Sequence, residues 1–376
     1  MISDLNQKFR RSAFRNKKMK ILDKYIIKKF LGTFFFSMAL IILIVVVFDI
    51  SEKIDDFIGK EAPLKAIVFD FYFNFIPYFV NLFSPLFTFI AVILFTSQMA
   101  TRTEIVAILS SGVSYRRLLL PYMLSAIVIA ILSLYLNNFV IPNATKKRIA
   151  FEDKYIRNEF HNRNRNIHMQ LTPGNYIYLE SYSTTDNTGF KFSIEKFSDG
   201  KLDYKLLAES IKWDSVKNNW SINNYFIREI KGIDEYVKKG KKLDTVLSFT
   251  PKEFGRKDNT VETMDYYALN EYIDSERLKG SENVELYEIE KYRRISFPFA
   301  TFILTLIGVS IASRKVRGGI GIHIGLGILI SFTFILFMQV STTFAASGLV
   351  SPLVAVWIPN FIFTFLALFL LKKAQK

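Results

Sequence analysis

Lys291-Tyr292-Arg293-Arg294 sets three cations immediately before an apolar run at 295–312. Guanidinium groups pair well with phosphate, so Arg293 and Arg294 suit an anionic amphiphile whose tails lie in an apolar medium. The same charges also serve as simple anchors at a lipid head-group layer. Asp49, Glu52, Lys53, Asp55 and Asp56 follow another apolar run at 30–48, and Lys53 is the further candidate for lipid contact; most of that set reads as solvated. A third group is the segment 101–112, Thr-Arg-Thr-Glu-Ile-Val-Ala-Ile-Leu-Ser-Ser-Gly. Its polar opening suits a helix start, Ile105, Ile108 and Leu109 share one face, and Gly112 supplies a stop. Such a helix either joins two spans or docks on a partner, with Arg102 and Glu104 as the charged contacts.

Other chemistry is missing from the sequence. No G-x-x-x-x-G-K-[ST] phosphate loop occurs, and Gly318-Gly319-Ile320-Gly321 has the wrong spacing for a dinucleotide fingerprint. There are no cysteines, which excludes disulfides and thiolate metal sites. His161 and His168 lie in a basic, Asn-rich stretch without carboxylates at ligand spacing, and His323 sits in an apolar run, where it either lines a polar cavity or meets the interface. No nucleophile has a convincing base, so neither catalysis nor a cofactor is expected.

The elements that position these residues are set by hydropathy. Six apolar runs, at 30–48, 68–100, 118–140, 295–312, 320–340 and 353–371, each approach the roughly 20 helical residues that cross a bilayer core. The segments 1–29, 101–117, 313–319 and 372–376 together carry 19 basic and 3 acidic residues, whereas 49–66 carries 3 and 5. Short basic loops stay in the cytoplasm, so both termini and the 101–117 loop are expected inside. The long insert 141–290, with 24 basic and 25 acidic residues, is then outside. Its neutrality also argues against nucleic-acid binding, despite a net charge of +15 for the chain. Met19, ahead of the first span, is an alternative start after a basic leader.

Within the second span, Pro77 and Pro85 predict a kinked or strongly tilted helix. Gly321, Gly325 and Gly327 offer close approach to a neighbouring helix. Inside the insert, short aromatic and β-branched runs at 176–182, 190–197, 204–214, 220–230 and 243–249 alternate with turn residues, which predicts antiparallel strands in a sandwich or open barrel. Residues 264–278 return to a helical pattern. The predicted domains are a basic cytoplasmic terminus (1–29), three membrane helices (30–140) with an internal helix at 103–112, an all-β periplasmic domain (141–290), and three further helices with a short basic tail (291–376).

This arrangement resembles the LptF/LptG family of lipopolysaccharide-export permeases, and within it the LptG branch. The resemblance rests on Leu22-Asp23-Lys24-Tyr25, on Thr103-Glu104-Ile105-Val106 through Ser111-Gly112, on three-plus-three helices around a β-rich insert, and on Arg294-Ile295-Ser296-Phe297-Pro298. It implies an ABC-transporter permease subunit of the inner membrane that takes lipopolysaccharide from the outer leaflet. An LptF-like subunit, an LptB-like cytoplasmic ATPase dimer and LptC/LptA-like periplasmic proteins are the implied partners, and the insert is implied to be jellyroll-like. In the same resemblance, Arg102, Glu104, Ile105, Ile108 and Leu109 belong to the helix that couples to the ATPase, and Arg294 lies near the lipid. Where relatives carry a lysine at the outer end of the first span, this chain has Asp49, with Lys53 one turn later. A membrane-anchored periplasmic scaffold without transport activity is the rival reading, and copurification of an ATPase separates the two. A secondary transporter would show acidic residues or broken helices at mid-membrane depth.

Overall fold

The computed structural model describes residues 20–157, 165–254, 260–281, 283–314 and 320–374; Met19, His161 and the 315–319 loop lie outside these. Helix α1 (Ile21–Gly59) begins with Asp23 accepting a hydrogen bond from the Lys20 backbone N–H, which satisfies one of the free donors of the first turn. It is followed by α2 (Leu64–Thr101), a short α3 (Glu104–Ser110) and α4 (Tyr115–Tyr155). After a β-sheet come α5 (Tyr266–Leu278), α6 (Val284–Ala312), α7 (Ile320–Ala346) and α8 (Pro352–Ala374). By length and composition α1, α2, α4, α6, α7 and α8 can each cross a membrane, three before the sheet and three after it.

Helix α2 is the hub of the bundle. One face, with Phe95 and Met99, packs on the Ile26, Phe30, Phe34 and Met38 stripe of α1 and on Tyr122 and Ile129 of α4. Its other face, with Phe89 and Ile93, meets Ile303, Leu304 and Ile307 of α6, Phe334 and Met338 of α7 and Phe363 of α8. Of the glycines on α7, only Gly327 makes the expected close approach: a Cβ there would overlap Ile93, whereas Gly321 and Gly325 face open space. Helix α2 runs on through Pro77 and Pro85, and its irregularity is a π-helical turn at Ile67–Tyr72. There the Asn74 side-chain amide donates to the carbonyls of Phe69 (2.8 Å) and Asp70 (3.0 Å). A second π turn, Leu136–Val140, interrupts α4. The extra residue in such turns re-aims the side chains beyond them.

All six long helices outrun their apolar runs. In α4 the helix continues past Val140 to Tyr155, although the insert was expected to begin at 141. The cause is local packing. Phe151 is buried among Phe57, Phe71, Tyr72 and Phe75, with ring centroids 5.3 Å apart for Phe71 and Phe151, an aromatic cluster that fixes the sheet-side ends of α1, α2 and α4 together.

The sheet contains β1 (Arg165–Thr172), β2 (Asn175–Ser183), β3 (Thr188–Ser198), β4 (Lys201–Asp214), β5 (Asn219–Lys231) and β6 (Asp234–Thr245), all antiparallel in sequence order. Strands β2 to β5 match four expected runs. The fifth expected strand is displaced: β6 is a lysine-rich edge strand, while Val246–Phe254 crosses the apolar face of the sheet. On that face Trp220 donates from Nε1 to the Phe249 carbonyl (2.9 Å), and Tyr182 stacks on Phe254 at 4.4 Å. The described strands therefore form one meander covered by its own chain. The crossing connections of a jelly roll are not found among them.

Candidate functional site

At the end of the bundle nearest the sheet a cavity of about 280 Å³ lies between α2, α4, α6 and α7, under the turn Val261–Thr263 that leads from the sheet to α5. Its walls are mostly apolar, with Leu82, Phe83, Phe297, Phe334, Ile335 and Met338. Asn81 and Asn137 line it too. Asn81 donates to the Asn137 side-chain amide oxygen Oδ1 (2.7 Å) and accepts from the Ser133 hydroxyl (2.6 Å), a polar chain between α2 and α4. Burying it unpaired in an apolar bundle would be costly.

The charged part of the lining holds Glu262, Glu290, Arg293 and Arg294. Arg293 is paired with Glu290, yet its side chain remains 45% exposed. Arg294 is different. Only 4% exposed, it donates to Glu290 (3.1 Å) and to the carbonyls of Met264 (2.7 Å) and Val261 (2.8 Å). Burial pushes the Glu262 carboxyl above its ordinary range, and the neighbouring Glu290 adds to the rise. Lys53 is not part of this lining. It is ion-paired with Asp49, which also accepts from the Tyr72 hydroxyl (2.9 Å), and its ammonium sits over the Phe71 ring. The structure thus brings Arg293 and Arg294 to one cavity and holds Lys53 in a separate cluster. Neither Asn81 nor Glu262 was singled out from sequence; an Asn inside an apolar run is the signal that could have found the first.

At the other end of the bundle, α3 follows Thr103, whose backbone has φ +61°, and Gly112 ends the turn at φ +85°. A left-handed conformation suits the glycine and strains the threonine. Ile105 is buried in the core of α1, α2 and α4, and Ile108 packs partly on the same core. Val106 and Leu109 face outward, 59% and 36% exposed, and form the free face of this helix, with exposed Arg102 just ahead of it. They border a groove of about 640 Å³ whose far wall includes Tyr115, Ser313, Arg314 and Lys373. Glu104 accepts a hydrogen bond from Tyr25 (3.2 Å), while Asp23 holds Arg117 through two bonds of 2.8 and 2.6 Å. The Leu22-Asp23-Lys24-Tyr25 motif is thus a clasp between the start of α1, α3 and the start of α4.

His168 stands on β1 beside Tyr178, and His323 is buried in α7. No group of three His, Cys, Asp or Glu residues suited to a metal occurs among the described residues.

Six apolar helices split by a six-stranded sheet, with an amphiphilic cavity opening among four of them, define the class as a multi-pass helical membrane protein with an inserted β domain. The family model for the lipopolysaccharide export system permease LptF/LptG matches residues 24–373, and the chain belongs to that family. It is therefore a permease component of a lipopolysaccharide-export transporter, of an inner-membrane family. No curated protein matches the chain.

Proposed function

We propose that this chain is the LptG-type half of an ABC transporter that takes lipopolysaccharide from the outer leaflet of the inner membrane and passes it to a periplasmic bridge. In this reading both termini and α3 are cytoplasmic, supported by the 19-to-3 excess of basic residues on those segments, and the sheet is periplasmic. The observation that carries the reading is the cavity, whose apolar walls, amide groups and half-exposed Arg293 suit a phosphorylated amphiphile. Lys53, held against Asp49, is a secondary contact. An LptF-like subunit completes the opposite wall, meeting α1 and α7, the least enclosed of the six helices. An LptB-like ATPase dimer docks on the Val106 and Leu109 face of α3, with Arg102 just ahead of it, and hydrolyses ATP, while this chain catalyses no reaction. LptC/LptA-like proteins receive the lipid beyond the sheet.

A charge pair at 4 Å interacts by about 4 kcal/mol at an effective dielectric near 20, before desolvation is subtracted. Loss of Arg293 therefore weakens capture without abolishing it. With a photoreactive residue at Phe297 in the purified complex, Arg293→Glu lowers the lipopolysaccharide adduct severalfold while the ATPase stays bound. An unchanged adduct would remove Arg293 from the lipid site, and a complex that carries no ATPase and no lipid would favour the scaffold reading.

A further inference from the structure

Arg294 is the best-satisfied cation at the cavity and the least able to meet a lipid. Its three donor nitrogens are committed, one to Glu290 one turn earlier on α6 and two to main-chain carbonyls, those of Val261 and Met264. One of those carbonyls opens the turn Val261–Thr263 and the other follows it directly, and the turn stands between the sheet and α5. A planar guanidinium reaches two carbonyls and a carboxylate at once because its donors are fixed in a fork, and lysine has no equivalent. The bonded arms also settle where Glu262 lies, since it is carried on the pinned turn and lines the same cavity as Arg293.

We infer that Arg294 is a positioning residue, a latch that makes the turn before α5 move with the outer end of α6, so that rearrangement of the membrane helices is delivered to the periplasmic sheet. Rigid transmission requires a contact that persists while both sides move. Three charge-assisted bonds on a buried side chain provide one, and the surrounding turn offers no comparable set among the described residues. The inference rests on the transporter reading above, but it concerns motion rather than lipid contact.

The test uses the whole transporter complex in proteoliposomes, with Arg294→Lys and Arg294→Gln. Lysine keeps the charge that a lipid phosphate needs and loses the fork that spans two carbonyls, so the two roles diverge in that variant. Spin labels on introduced cysteines at Asp186 in the sheet and Ser347 beyond α7 report the ATP-dependent change in distance between sheet and bundle, and photoreactive residues at Phe297 and Leu207 report lipid in the cavity and on the sheet. For Arg294→Lys the expected result is a cavity adduct within about twofold of the parent, a sheet adduct down by at least about fivefold, the low end of usual coupling between linked sites, and loss of the nucleotide-dependent distance change. Arg294→Gln behaves the same way. The latch is overturned if Arg294→Lys retains the distance change, or if it matches the parent in sheet adduct while Arg294→Gln loses the cavity adduct, which is the pattern of a direct lipid contact. If the parent complex itself gives no cavity adduct, the lipid reading of the cavity fails, whereas the distance measurement still decides the latch.

Discussion

Arg293 and Arg294 carry the same guanidinium on adjacent positions of one helix, and successive helical residues point about 100° apart. One is half-exposed at a cavity; the other is buried against carbonyls. Their common chemistry was readable in the sequence, but which faces lipid depends on where the distant Val261–Met264 segment lies, and no local pattern encodes that. Glu262 yields a pH prediction. Its folded-state pKa is raised above the ordinary 4.5 by burial, so its ionised form opposes the native arrangement. That cost is full above the raised folded-state value, shrinks as pH falls below it and is gone once pH is below the ordinary 4.5. Acidification, or Glu262→Gln at neutral pH, should therefore stabilise the turn and leave Arg293 with one fewer counter-charge. Lipopolysaccharide capture at Phe297 is expected to rise in Glu262→Gln and to lose part of its pH dependence; a fall in capture would contradict this. At the end of the bundle away from the sheet, Asp23→Asn should loosen α1 from α4 by about 1.5–3 kcal/mol, the usual contribution of hydrogen bonds to charged groups. Thermal unfolding in detergent measures it, and Arg117→Gln should add little further loss in the double variant.

Helix α3 shows what period alone can and cannot give. The apolar stripe of Ile105, Ile108 and Leu109 correctly predicts a helix, yet Ile105 and Ile108 face the protein's own core and Leu109 is left exposed. A 3.6-residue period marks a buried face without naming what buries it. Val106→Asp and Leu109→Asp should release the cytoplasmic ATPase in pulldown, since truncating a well-buried interface anchor typically costs about 2 kcal/mol or more. Ile105→Ala should instead lower the stability of the bundle by about 2–5 kcal/mol, the range for emptying a buried aliphatic site. If Ile105→Ala detaches the ATPase from a bundle of unchanged stability, the faces are assigned the wrong way round. The edge strand β6 was missed for a related reason. With Lys238, Lys239, Lys241 and Lys242 in it, it shows no apolar alternation, because an edge paired on one side is kept soluble by charge.

For the whole molecule, the three-plus-three helix plan and the β insert were legible because a bilayer demands long apolar runs and a sheet demands alternation. The enclosure of the sheet by residues after β6 was not, since Phe249 read as the end of a strand at 243–249. Orientation is testable cleanly in a chain without cysteine. Cysteines introduced at Asp186 and Ser347 should react with an impermeant thiol reagent once the outer membrane is permeabilised, and one at Ser110 should stay protected in intact cells. Labelling at Ser110 from outside would invert the arrangement. The continuation of α4 through Ile141–Tyr155 has a mechanical meaning of its own. Fifteen helical residues extend about 22 Å at 1.5 Å each, so a tilt of about 10° at the membrane sweeps the far end through about 4 Å. The Phe57, Phe71 and Phe151 cluster binds that arm to α1 and α2 near its far end, so the sweep is shared by three helices rather than made by α4 alone.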